Sequence, residues 1–81
     1  MKLRVLFHSY FRDLAGCSEA AFDMPEQSTV DAAREEVERR FPKLAVMRKS
    51  TLIAVGVEYQ PGDYRLRAGD EISLFPPVQG G

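Results

Sequence analysis

Ser28-Thr29-Val30-Asp31-Ala32-Ala33-Arg34-Glu35-Glu36-Val37-Glu38-Arg39-Arg40-Phe41-Pro42 reads as one long helix, and it is the element against which the rest of the chain must pack. Ser28 opens a capping-box-like start: its hydroxyl is expected to accept from an early backbone N–H, and Asp31 lies in the positive first turn. Val30, Ala33, Val37 and Phe41, with Leu44 beyond, fall on one helical stripe, while Arg34, Glu35, Glu38 and Arg39 lie elsewhere on the wheel. Pro42 marks the end, because the residue before a proline is pushed away from α geometry. Glu35-Glu36 and Arg39-Arg40 read as a salt-bridged, solvated face rather than an active site.

Working back from Ser28, Pro25 lacks the donor that a central ladder needs and stops a strand over Ser18 to Met24. Tyr10 to Leu14, closed by Gly16, reads as a short helical turn. Lys2 to His8 is a strand in which Leu3, Val5 and Phe7 alternate with Arg4, Leu6 and His8, so the first set is assigned to the core. Working forward, Thr51 to Val55 is an apolar run. Gly56 supplies a tight turn and Glu58-Tyr59-Gln60 returns as a short strand. Pro61-Gly62 and Ala68-Gly69-Asp70 are turn signals around Tyr64-Arg65-Leu66. A last strand runs from Glu71 to Phe75, with Ile72 and Leu74 inward and Phe75 an apolar ring on the polar face. Two strands, one long helix and two or three further strands predict an α+β fold, the β-grasp arrangement of ubiquitin: a mixed sheet packed on the helix. The expected organisation is a domain over 1–75 and an extended functional tail over 76–81.

The 81 residues suit one domain, and 44% hydrophobic with 28% charged residues is ordinary for a folded chain. Eleven Lys and Arg against twelve Asp and Glu give a net charge of -1, which offers no broad attraction to nucleic acid or anionic membranes. No apolar stretch approaches the ~20 residues of a spanning helix, and no secretory start is read, so a cytoplasmic location is expected. Cys17 stands alone and reads as a small loop residue, with neither a disulfide nor a cysteine-based metal site implied. No phosphate-binding loop is present, so no cofactor or metal is expected on this chain, and ATP is expected to be used by an activating partner.

The tail carries the chemistry. Pro76-Pro77 cannot extend a central ladder and holds the backbone near polyproline II, so the chain leaves the fold stiffly. From Pro77 to Gly81 the reach is at most roughly 17 Å, enough to enter a partner's pocket. Neither Gly80 nor Gly81 carries a Cβ, which lets the end thread a narrow channel and present an unhindered carboxylate. A carboxylate is a poor electrophile until ATP converts it to an acyl-adenylate. Sulfide equivalents can then displace AMP to leave a thiocarboxylate, a soft nucleophile at neutral pH. Gly-rich ends are commonly mere frayed termini, but fraying does not explain a rigid Pro-Pro stem between a final strand and that end.

Gly69-Asp70-Glu71, then Phe75-Pro76-Pro77-Val78-Gln79-Gly80-Gly81, together with Phe11-Arg12-Asp13-Leu14-Ala15-Gly16 and Leu52-Ile53-Ala54-Val55, resemble the small subunit of molybdopterin synthase, in the MoaD-like branch of the MoaD/ThiS sulfur carriers. The resemblance implies that a ubiquitin-activating-like adenylyltransferase adenylates Gly81, which is then thiocarboxylated. The tail then donates sulfur to cyclic pyranopterin monophosphate inside the large synthase subunit, forming molybdopterin. The chain would be a non-catalytic sulfur-donating co-substrate, in an assembly of two small and two large subunits. The family hairpin often carries Asn where this chain has Gly56, and an apolar residue where His8 falls.

Leu6, His8, Tyr59 and Phe75 on the outer face, with Pro76, Pro77 and Val78 of the stem, are the expected partner-binding residues. His8 lacks the companions of an acid/base site and reads as an interface or solvent residue. Two other uses of the same tail stay open at this stage. One is a ubiquitin-like modifier joined to lysines through Gly81. The other is sulfur carriage to another acceptor, whether a thiazole precursor, an amino-acid precursor or tRNA.

Overall fold

The computed structural model describes residues 1–77, apart from the side chains of residues 47–49. In chain order the elements are β1 (Lys2–Phe7), α1 (Phe11–Ala15), β2 (Glu19–Asp23), α2 (Val30–Arg40), a 3-10 helix (Pro42–Ser50), β3 (Leu52–Val55), β4 (Glu58–Tyr59) and β5 (Glu71–Phe75). The strands form one sheet in the order β2-β1-β5-β3-β4. β1 and β5 run parallel in its centre, and the other neighbours are antiparallel. This is the mixed sheet and single long helix expected of a β-grasp.

Alternation along β1 decides which face is covered. Leu3, Val5 and Phe7 are buried, and in register beside them lie Phe22 of β2 and Ile72 and Leu74 of β5. Val30, Ala33 and Val37 of α2 close over this face, as their helical stripe requires. Each fully buried Leu, Val or Phe in that layer is worth about 1.5–3 kcal/mol relative to exposure. The rings of Phe7 and Phe41 meet edge to face, with centroids 5.2 Å apart, and the Arg40 guanidinium lies over the ring of Phe22 at 4.7 Å.

Two local expectations need correction. Thr29, not Ser28, caps α2: its backbone is extended and its hydroxyl accepts from Ala32 N–H at 3.1 Å, while the Ser28 hydroxyl donates to the Pro25 carbonyl. Pro42 ends α2 but does not end helical geometry. It occupies the start of the 3-10 helix, where a missing N–H costs nothing, and Leu44 reaches the core from there rather than from α2. Between its two turns, Tyr64-Arg65-Leu66 is tied to the start of α2 by an isolated antiparallel bridge, Thr29 to Arg65, flanked by Val30 N–H donating to the Tyr64 carbonyl and Leu66 N–H donating to the Ser28 carbonyl.

Candidate functional site

The uncovered face of the sheet is divided in two. At the end where β5 begins, Arg4 donates to Glu19 on β2 (3.0 and 3.2 Å) and to Glu71 on β5 (2.7 Å), tying three strands together. Its hydrogen bonds and charge hold the Glu19 carboxyl below the usual carboxylate range. At the end where β5 finishes, the residues turn apolar. Leu6 lies in register with Ser73, Ser73 with Ala54, Ala54 with Tyr59, and Phe75 with Leu52. Paired residues share a face, so these side chains form one surface.

Phe75 is the centre of it. The imidazole of His8 lies on one flank, stacked at 4.3 Å with planes 10° apart, and the ring of Tyr59 meets it from the β4 side at 6.2 Å and 75°. Tyr59 is 65% exposed and Leu52 39%, whereas Ser73 and Ala54 beneath them are buried. Large apolar groups therefore stand proud of a small-residue floor, the relief that a partner surface can interdigitate with. Pro76 and Pro77 follow directly and are half-buried, so the stem starts at the edge of this patch.

Leu6, His8, Tyr59, Phe75, Pro76 and Pro77 are thus brought together at one end of the sheet. Val78, Gly80 and Gly81 lie outside the described residues. Leu52 and Ala54 belong to the same surface and were not read from the sequence, because Leu52-Ile53-Ala54-Val55 is apolar throughout and carries no alternation. Pairing β3 with β5 would have exposed Leu52, since it faces Phe75. His8 Nε2 is shielded from solvent and has no hydrogen-bond partner among the described residues. Among those residues no group of three or more His, Cys, Asp or Glu side chains is arranged to hold a metal ion, and no helix is long and apolar enough to cross a membrane.

A mixed five-stranded sheet on one helix, with a stem leaving its central strand beside an apolar patch, defines a ubiquitin-like β-grasp protein. The chain belongs to the ThiS family, whose model matches residues 5–81. It is 36% identical to the molybdopterin synthase sulfur carrier subunit of Escherichia coli, with 98% of this chain and 99% of the relative aligned. The protein of the same description from Caenorhabditis elegans is 34% identical, over 100% of this chain and 99% of the relative. Among solved structures, a candidate molybdopterin converting factor subunit 1 from Pyrococcus furiosus superposes with a TM-score of 0.87 at 31% identity, covering 96% of this chain and 99% of that one. SAMP1 from Haloferax volcanii gives 0.89 at 22% identity with both chains covered completely, a likeness of fold alone. So is the likeness to a chain from the complex of subunits 1 and 2 of the molybdopterin-converting factor of Helicobacter pylori, with a TM-score of 0.71 at 22% identity over the whole of both chains.

Proposed function

We propose that this chain is the sulfur carrier subunit of a molybdopterin synthase. One observation carries the reading: the aromatic patch of His8, Phe75 and Tyr59 lies on the uncovered face at the point where Pro76-Pro77 leads toward Gly80-Gly81. A partner docked on the patch receives the tail at the same time, so surface recognition and delivery of the reactive end are one event. The naming of the curated relatives as molybdopterin synthase sulfur carrier subunits supports the role.

Gly81 first attacks ATP on the activating partner, its carboxylate oxygen bonding to the α-phosphorus as pyrophosphate leaves. Sulfide then adds to the acyl carbon and AMP leaves, giving the thiocarboxylate. In the large subunit the thiocarboxylate sulfur bonds to a side-chain carbon of the pterin precursor as a carbon–oxygen bond at that carbon breaks and the oxygen group leaves; two loaded chains supply the two sulfurs of one molybdopterin. Water then cleaves the acyl–sulfur bond and restores the Gly81 carboxylate, ready for another round. This chain supplies the docking face, the stem and the carried sulfur, and the general acids and bases belong to the large subunit. The working assembly is two small and two large subunits.

Reconstitution with the activating ATPase, ATP and sulfide, followed by the large subunit and cyclic pyranopterin monophosphate, tests the reading. Intact mass should rise by about 16 Da, one sulfur for one oxygen, and fall back as molybdopterin appears. A tail that gains no sulfur with competent partners, or a loaded tail that yields no molybdopterin, refutes it.

A further inference from the structure

The imidazole of His8 packs face to face on Phe75, yet its Nε2 is shut away from water with no partner among the described residues. Burying a polar atom unpaired is unfavourable, and an apolar ring in the same place would pack without that cost. What the position uses is therefore the flat face of the ring. His8 itself is well anchored: its N–H donates to the Leu74 carbonyl at 3.2 Å, and its carbonyl accepts from Phe11 N–H at 3.1 Å. These bonds tie the His8 backbone to the residue before Phe75 and to the first turn of α1. On the far flank the Tyr59 ring stands at 75° to that of Phe75, and Leu52 pairs with Phe75 across β3 and β5. Phe75 is thus held from both sides at the last position of β5, and the next residues are Pro76 and Pro77, which have few backbone conformations of their own.

Resting on the carrier reading above, we infer that His8 is a positioning residue: by clamping Phe75 against Tyr59, it fixes the direction in which the Pro76-Pro77 stem leaves the sheet toward the partner. A stiff stem transmits the orientation of its base, so a loosened Phe75 spreads the tail over directions that miss the partner's channel. The loss falls on productive docking and leaves the sulfur chemistry at Gly81 as it was.

The test compares His8→Ala, His8→Phe and a control, Ala33→Gly, which loosens α2 on the covered face of the sheet. All are loaded as thiocarboxylates and assayed in single-turnover sulfur transfer against increasing large subunit, at a temperature where circular dichroism shows each folded. His8→Ala should need about tenfold more large subunit for half-maximal transfer, with a limiting rate within about twofold of wild type; His8→Phe and Ala33→Gly should stay within about twofold in both quantities. Carbon-13 relaxation at the Pro76 and Pro77 Cα atoms gives a readout independent of sulfur, and order there should fall in His8→Ala and be restored in His8→Phe. Because His8 also lies in the docking patch, unchanged order at Pro76 and Pro77 in His8→Ala overturns the inference whatever the half-saturation, as does a His8→Phe variant as impaired as His8→Ala. If wild type itself transfers no sulfur, the carrier reading fails, and the relaxation comparison alone then decides for or against the clamp.

Discussion

Arg4 and Glu71 are joined at 2.7 Å across the parallel pair β1–β5, four residues upstream of Phe75 on the same face of the same strand. Charge and aromatic surface are therefore separated along a single strand, and the two ends should behave differently when a partner binds. Phe75→Ala removes a central ring and should weaken binding of the large subunit by at least about thirtyfold, the scale of an interface hot spot. Arg4→Ala removes an exposed, screened ion-pair network and should change affinity by less than about threefold, with only a slight effect on the melting temperature. Titration calorimetry on both variants decides it: equal losses would mean that the patch does not define the docking surface.

Thr29 accepts from Ala32 N–H, whereas Ser28 turns back to Pro25, so the two neighbouring hydroxyls are not equivalent. Thr29→Ala should cost about 1 kcal/mol of folding free energy, a lost N-cap, and Ser28→Ala distinctly less. Urea unfolding followed by circular dichroism measures both. The reverse ranking would return the cap to Ser28.

That one-residue shift shows where sequence reading stops. The strands around Leu3-Val5-Phe7 and Ile72-Leu74 were legible because polar and apolar residues alternate, and α2 because its apolar stripe is regular. Two adjacent hydroxyls offer the same chemistry, and only the extended backbone of Thr29, held by its bridge to Arg65, selects between them. Pro42 is ambiguous for a related reason: it cannot sit inside a helix, yet it suits the first position of another. Leu6, His8 and Phe75 on the outer face followed from strand parity, whereas the place of Tyr59 beside them is fixed by the pairing of β4 with β3. Leu52 did not follow from parity, because its strand is apolar on both faces, and the stacking of His8 on Phe75 depends on ring orientations that no spacing encodes.

Glu36 on α2 accepts from Arg39 and Arg40, and these hydrogen bonds, the Arg39 bond foremost, pull its carboxyl down to about 2. A depressed folded-state pKa means that the contribution is complete above the ordinary carboxylate value of 4.5 and is lost as pH falls toward about 2. Glu36→Gln should therefore be somewhat less stable than wild type at neutral pH, with the two unfolding curves converging below pH 4.5. The gap should narrow in high salt, since the groups lie near solvent. A gap that is independent of pH over that window would show that the pairing contributes nothing to folding.

Removal of Gly81 alone separates chemistry from fold. The truncated chain still ends in a glycine carboxylate, so the functional group survives and only its position changes, by about 3.4 Å of reach. Adenylation and thiocarboxylation need the carbonyl carbon placed within bonding distance of the attacking atom, and a displacement of that size is far outside what positioned catalysis tolerates. Sulfur loading should fall by at least about a hundredfold. Melting temperature and large-subunit affinity should stay near wild type, because the core and the Phe75 patch are untouched. Intact mass after loading, thermal unfolding and calorimetry on the same preparation give the three readings. Retained loading would move the reactive end away from Gly81, while a lowered melting temperature would show that the terminus contributes to the fold.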